Sequence, residues 1–255
     1  MSRIVTLLTD FGTADGYVGE VKGALLSLAP GSTLVDIAHD LSAGDVAAAC
    51  YVLGRVWRSF PAGTVHLAVV DPGVGSTRRA LAAEAAGHFF VAPDNGLLTA
   101  VFAADPGAAR AVTLPVPAKA GRTFHGRDVF APAAARLAGG AALQDLGPSL
   151  SDPVRLPAPL LKVDGGDLVG EVIHVDRFGT LVTNLPREHV APDGRVRAAG
   201  HDLPLRATFA DVAQGEPVAF VGSGGTLEIA VRDGRADVVL ELSRGTEVRA
   251  TARRG

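Results

Sequence analysis

At 255 residues the chain has room for one large domain or two modest ones. Its 47% hydrophobic and 20% charged content describes a packed core and leaves little for disorder, while a net charge of −3 without a long basic run argues against nucleic acid as the main partner. One cysteine, Cys50, forms no internal disulfide, no apolar stretch reaches the ~18 residues that span a bilayer, and Met1-Ser2-Arg3 runs into a strand without a signal-like segment, so a cytoplasmic protein with no membrane contact is expected.

Residues 4–8 (IVTLL) read as a first buried strand, ending at Thr9-Asp10-Phe11-Gly12. Apolar residues at Tyr17, Val18, Val21, Ala24, Leu25 and Leu28 predict an amphipathic helix stopped by Pro30-Gly31. A short strand follows at 34–37, then a helix through 47–57 that Asp45 can cap. The run 65–70 predicts another buried strand. It breaks at Asp71-Pro72-Gly73-Val74-Gly75, a stiff glycine turn followed by Arg78-Arg79. A carboxylate at the end of a buried strand, before such a turn, suits a small polar ligand or a simple turn cap. Strands are predicted at 80–85, 89–92 and 111–114, with Pro93-Asp94-Asn95-Gly96 turning into a helix over 97–102. Phe124-His125-Gly126-Arg127-Asp128 precedes an alanine-rich helix over 129–137.

Alternating strands and helices predict a Rossmann-like α/β domain with a largely parallel sheet over residues 1–147. Pro148, Pro153, Pro157 and Pro159 mark residues 148–164 as a linker. Short strand-like runs at 170–175, 181–184, 195–199, 217–221, 227–231, 238–242 and 246–250 predict a C-terminal antiparallel β-barrel over 165–255. A cleft where two such domains meet is a usual place for a small molecule.

No P-loop and no dinucleotide fingerprint is present. Asp10, His39, Asp40, Asp71 and His125 are of metal-ligating type but lack metal-site spacing, so no metal is assigned. His125 is either a histidine held by a neighbouring carboxylate or a general base or water orienter. The Ser223-Gly224-Gly225 turn can be a plain turn or a backbone nest for a carboxylate. Asp176-Arg177-Phe178-Gly179 can be an ordinary hairpin, or a carboxylate for an ammonium beside an aromatic face for a flat ring.

Taken together, TDFGT (9–13), VVDPGVGS (69–76), APDNGLL (92–98), TFHGRDVFAP (123–132), DRFGTLVTN (176–184) and GSGGTLEIAV (222–231) closely resemble the S-adenosyl-L-methionine (SAM) hydroxide adenosyltransferases. These SAM hydrolases form adenosine and are relatives of the SAM-dependent fluorinase and chlorinase. The motifs run in order along essentially the whole chain. The resemblance implies an α/β domain, a β-barrel and a homotrimer with SAM bound between subunits, SAM being substrate and no cofactor being used. It places a catalytic set on Asp71, Arg78 and His125, with Arg78 rather than Arg79 chosen by the family spacing. Arg78 would favour hydroxide character, and Asp71 and His125 would position the water and take its proton. Asp10 would meet the ribose diol, Asp176 the methionine ammonium and Phe178 the adenine, with Ser223, Glu228 and Val231 completing the substrate contacts. Thr180 stands where the family usually has an adenine-contacting Asn, and Gly126 where the fluorinase has a halide-pocket serine. The implied reaction is attack of water on the ribose C5′ of SAM, giving adenosine and L-methionine. A halide-dependent enzyme forming 5′-halo-5′-deoxyadenosine and a non-catalytic adenosine or SAM binder are the alternatives.

Overall fold

The apolar run after Arg3 becomes strand β1 (Ile4–Thr9), buried from Val5 onward. The computed structural model describes residues 3–253, which divide at Leu156/Pro157 into two units.

In the first unit, β1 is joined by β2 (Thr33–Ala38), β3 (Val65–Val69), β4 (Ala80–Ala85), β5 (His88–Pro93) and β6 (Arg110–Leu114) in the order β2-β1-β3-β5-β4-β6. The pairs β1–β2, β1–β3 and β3–β5 are parallel, and β4 runs antiparallel to both its neighbours. Successive residues of a strand face opposite sides. Leu7, Leu67 and Val69 therefore pack with Val21 and Leu25 of α1 (Tyr17–Leu28) and with the alanines of α4 (Ala131–Ala138). Leu8, Ala68 and Val70 pack with Ala49 and Leu53 of α2 (Val46–Val56) and Val101 of α3 (Thr99–Ala104). Burial on both faces is why these strands read as unbroken apolar runs. Asp45 caps α2, its side chain accepting from the Ala48 N–H at 2.9 Å.

Two helices begin later than their sequence patterns suggest. Asn95 Oδ1 accepts from Leu97 N and the Gly96 carbonyl from Thr99 N, so a turn occupies the expected start of α3. Before α4, Gly126–Phe130 forms one turn of π-helix, a wider winding that recurs at functional sites. Residues 148–150 hydrogen-bond to the edge of the first sheet: Thr113 N donates to Pro148 O and Leu150 N to Ala111 O, each at 2.8 Å.

The second unit is antiparallel. Its strands are β7 (Lys162–Asp164), β8 (Asp167–Val175), β9 (Leu181–Pro186), β10 (Val196–Ala198), β11 (His201–Leu203), β12 (Pro217–Val221), β13 (Thr226–Val231) and β14 (Glu247–Thr251). They follow the order β11-β10-β14-β8-β9-β13-β12, with β7 on β8. A bridge between Leu205 and Ala219 brings the two ends together, so the sheet nearly closes into a barrel around Leu181, Leu227, Ile229 and Val248. The expected strand at 238–242 is instead helix α5 (Ala236–Val239) and a turn. Ala236 and Leu240, one helical turn apart, are buried, whereas Val238 and Val239 face outward. Among the described residues, no helix is long and apolar enough to cross a membrane.

Candidate active site

Strand β3 delivers Asp71 at its carboxyl end, and the turn after it folds back within seven residues. Val74 N donates to Asp71 O and Ser76 N to Gly73 O, while Ser76 Oγ accepts from Arg78 N at 3.2 Å. Gly75 has φ +77°, and a Cβ there would lie 2.5 Å from the Arg122 carbonyl oxygen, so only glycine fits. The turn returns Arg78 to Asp71. Its Nε donates to Oδ1 at 2.9 Å and Oδ2 at 3.0 Å, and its Nη2 donates to Oδ2. Both side chains are nearly buried, and the guanidinium lies 5.2 Å from the centre of the Phe130 ring. Burying two ions costs desolvation that only such fork geometry offsets, and removing one partner of a buried pair costs about 3–5 kcal/mol. Arg79 takes the other direction, to Asp94 at 2.7 Å and Asp152 at 2.8 Å.

His125 enters from the start of the π-turn and is buried. Arg78 Nη2 lies 2.9 Å from its Nδ1. A guanidinium only donates, so Nδ1 accepts and the proton of the neutral ring resides on Nε2. Burial first, then the Arg78 charge, lowers the His125 pKa from its ordinary value, against the opposing pull of Asp71 and Asp128. The ring is therefore neutral at neutral pH and offers an N–H donor. In this arrangement it has no lone pair left for a water proton, which departs from the sequence-based expectation; the cause is an arginine 47 residues away in sequence.

Asp10 ends the neighbouring parallel strand, and its Oδ2 accepts from Gly44 N at 2.7 Å. Gly44 also approaches the Asp71 turn, for a Cβ on it would contact Pro72 Cβ at 3.6 Å. Next to Asp10, Phe11 packs edge-on against Phe124, with centroids 5.8 Å apart. A Cβ at Gly126 would lie 3.1 Å from the Phe11 ring and 3.3 Å from the Phe124 ring. Gly44, Phe11 and Phe130 thus belong to this site, although their residue types carry no chemical signal in the sequence.

The first unit therefore brings Asp71, Arg78 and His125 into one hydrogen-bonded set, with Asp10 one loop away. In the second unit, Asp176 Oδ1 accepts from Phe178 N at 2.9 Å and Thr180 N at 2.8 Å, holding a tight turn. Gly179, at φ +83°, has Asp237 and Arg235 where a side chain would go. The turn leaves the Phe178 ring 75% exposed. Ser223 lies in the turn between β12 and β13, closed by Gly222 N to Thr226 O. Glu228, on β13, places its carboxylate where Gly222 has no side chain. Val231 differs: its side chain is buried in the second unit's core, and its carbonyl accepts from Gly234 N at 3.1 Å. Among the described residues no three His, Cys, Asp or Glu side chains gather as a metal site would.

Residues 5–147 match the family model of the SAM hydroxide adenosyltransferase N-terminal domain, and residues 170–249 that of the C-terminal domain. The chain is 44% identical to an (R)-S-adenosyl-L-methionine hydrolase of Thermus thermophilus, covering 97% of this chain and 99% of the relative. It is 42% identical to a protein of the same name from Salinispora tropica, covering 97% of each. A fluorinase of an Actinoplanes species is 34% identical over 89% of this chain and 90% of its own. Among solved structures, a conserved protein of Thermotoga maritima superposes with a TM-score of 0.87 at 35% identity, covering 96% of this chain and 99% of that one.

Proposed function

The chain belongs to the SAM hydroxide adenosyltransferase family, and from that premise we propose that it hydrolyses SAM to adenosine and L-methionine. Water attacks the ribose C5′: the O–C5′ bond forms, the C5′–S bond breaks with its electron pair passing to sulfur, and one proton is released. The sulfonium leaves as a neutral thioether, so the step needs no general acid and draws on no cofactor. Water is the poor partner, and the chain's task is to favour its hydroxide character and hold it in line.

The observation that carries this reading is the hydrogen-bonded Asp71–Arg78–His125 set at the end of β3, with His125 buried and the ion pair nearly so. The Arg78 cation supplies positive charge where hydroxide character develops. The His125 Nε2–H donates to the water oxygen and fixes its direction. Asp71 then remains as the group that takes the departing proton. Asp10 receives the ribose diol, and Phe178 the adenine face. Asp176 meets the methionine ammonium, with Ser223 and Glu228 beside the remaining polar groups of the substrate. Thr180 gives one hydroxyl where an asparagine would give a donor and an acceptor. Because its side chain is buried, Val231 contributes through its backbone. Hydrolysis is favoured over halide transfer at position 126, since the place of a serine side chain is bounded by the Phe11 and Phe124 rings.

The homotrimer with sites between subunits is part of the same proposal; the 75% exposure of the Phe178 ring is consistent with it, and light scattering on the purified protein tests it. The function is tested by a SAM time course, with and without chloride or fluoride, followed for adenosine, methionine and 5′-haloadenosine. Equimolar adenosine and methionine, released far more slowly by Asp71→Asn, are expected. A 5′-halo product identifies the halide enzyme, and bound but unconverted SAM a binding protein.

A further inference from the structure

The side chains of the Pro93-Asp94-Asn95-Gly96 turn after β5 hydrogen-bond to the backbone and to the residue flanking the Asp71–Arg78 pair, at Val70 and Arg79. The β3–β5 ladder registers its last pair at Leu67 and Val91. Beyond that point Asn95 Nδ2 donates to the Val70 carbonyl at 2.9 Å, immediately before Asp71. Its Oδ1 accepts from Leu97 N at 3.2 Å, which orients the amide so that the NH₂ faces Val70.

Asp94 acts on the other partner. Its buried carboxylate accepts from Arg79 Nε at 2.7 Å through Oδ2 and from Val154 N at 2.8 Å through Oδ1. Its own N–H donates to the Arg79 carbonyl at 2.9 Å. The same carbonyl oxygen is approached by Arg78 Nη1 at 3.4 Å. One turn therefore holds Asp71 through Val70 and Arg78 through Arg79. The turn is itself locked: Gly96 has φ +97°, and a Cβ on it would lie 2.9 Å from Leu156.

We propose that Asn95 and Asp94 are positioning residues for the Asp71–Arg78 pair, Asn95 setting the strand end that presents the carboxylate and Asp94 the segment that returns the guanidinium. The inference rests on the reading above that this pair acts on water. Groups of this kind must be held to within about 0.5 Å, and their supporting hydrogen bonds typically account for about 10- to 100-fold in activity.

The test uses Asn95→Asp, which keeps the shape and sets a carboxylate oxygen against the Val70 carbonyl, together with Asn95→Ala and Asp94→Asn. Each is expected to lower kcat about 10- to 100-fold with KM for SAM within about threefold, because the positioned pair acts in the transition state. In an Asp71→Asn background, adding Asn95→Asp is expected to change kcat by less than about twofold, since the residue acts through Asp71. An unchanged kcat in the single variants, or the same loss in both backgrounds, overturns the proposal. A second readout does not depend on turnover: the Arg78 Nε–H resonance, assigned by its disappearance in Arg78→Lys, is expected to shift in Asn95→Asp. An unshifted resonance overturns the positioning role. A wild-type protein that releases no adenosine overturns instead the functional reading on which it rests.

Discussion

Replacing Arg78 by lysine keeps a cation beside Asp71 and removes the planar fork. Arg78 donates to both Asp71 oxygens at 2.9 and 3.0 Å and to His125 Nδ1 at 2.9 Å. A point-like ammonium on a differently shaped stem can serve the carboxylate or the imidazole, and it cannot span both at that spacing. The bond to the imidazole has a charged donor and is worth about 1.5–3 kcal/mol. If that loss falls on the transition state, at about 1.4 kcal/mol per tenfold, kcat drops about 10- to 150-fold. KM for SAM stays within about threefold, because the lost contacts are to the water side of the site. Adenosine release at saturating SAM measures kcat, and a thermal melt confirms that the variant is folded. In the wild type the acid limb of kcat/KM is expected to have its midpoint below the ordinary histidine value of 6.5, since burial and Arg78 disfavour the imidazolium and protonation at Nδ1 breaks the Arg78 bond. A variant kcat within about twofold of wild type, or a wild-type midpoint above 6.5, refutes the reasoning.

Phe178→Ala removes a ring that is 75% exposed, so stability is expected to change by no more than about 0.5 kcal/mol, while KM rises about 5- to 100-fold from lost stacking on the adenine; isothermal titration with a SAM analogue checks it. Gly126→Ser places a Cβ 3.1 Å from the Phe11 ring and is expected to destabilise the protein by about 1–3 kcal/mol in a urea titration, without producing 5′-haloadenosine. Buried His66, which hydrogen-bonds Thr6 and His88, has its pKa pushed down to about 3, chiefly by burial and secondly by His88. The folded protein thus keeps it neutral while the unfolded chain takes up a proton, so stability falls as the pH drops from about 6.5 toward 3, by up to about 4 kcal/mol. Denaturant midpoints across that range are expected to fall less steeply in His66→Gln, which keeps a partner for Thr6; an equal slope contradicts the assignment.

Much of the fold was legible because local and global demands agree. Helix α1 has the bounds its apolar spacing suggests, with Val21 and Leu25 buried although Tyr17 and Leu28 at its ends are exposed, and the central strands β1 and β3 were readable because both of their faces are covered. Residues 238–242 misled, since a short valine-rich run fits a strand or one turn of helix, and only the burial of Ala236 and Leu240 decides between them. Strands β7 and β11 are three residues each and carry exposed polar side chains, so no pattern announces them. At the site, the chemical residues were visible as motifs. The choice of Arg78 over Arg79 came from the family spacing and not from the local sequence; the proton position on His125 and the wall that Phe11 builds against Gly126 were not visible at all. Each depends on neighbours brought close only by the fold, as with Arg79, which is held away by Asp94 and Asp152.

The most direct test of the account is SAM turnover in water labelled with oxygen-18, with the adenosine product weighed by mass spectrometry. Attack of water at C5′ predicts one labelled oxygen in every adenosine released, alongside unlabelled methionine in equal amount. Release of unlabelled adenosine, or turnover of SAM without adenosine, contradicts it.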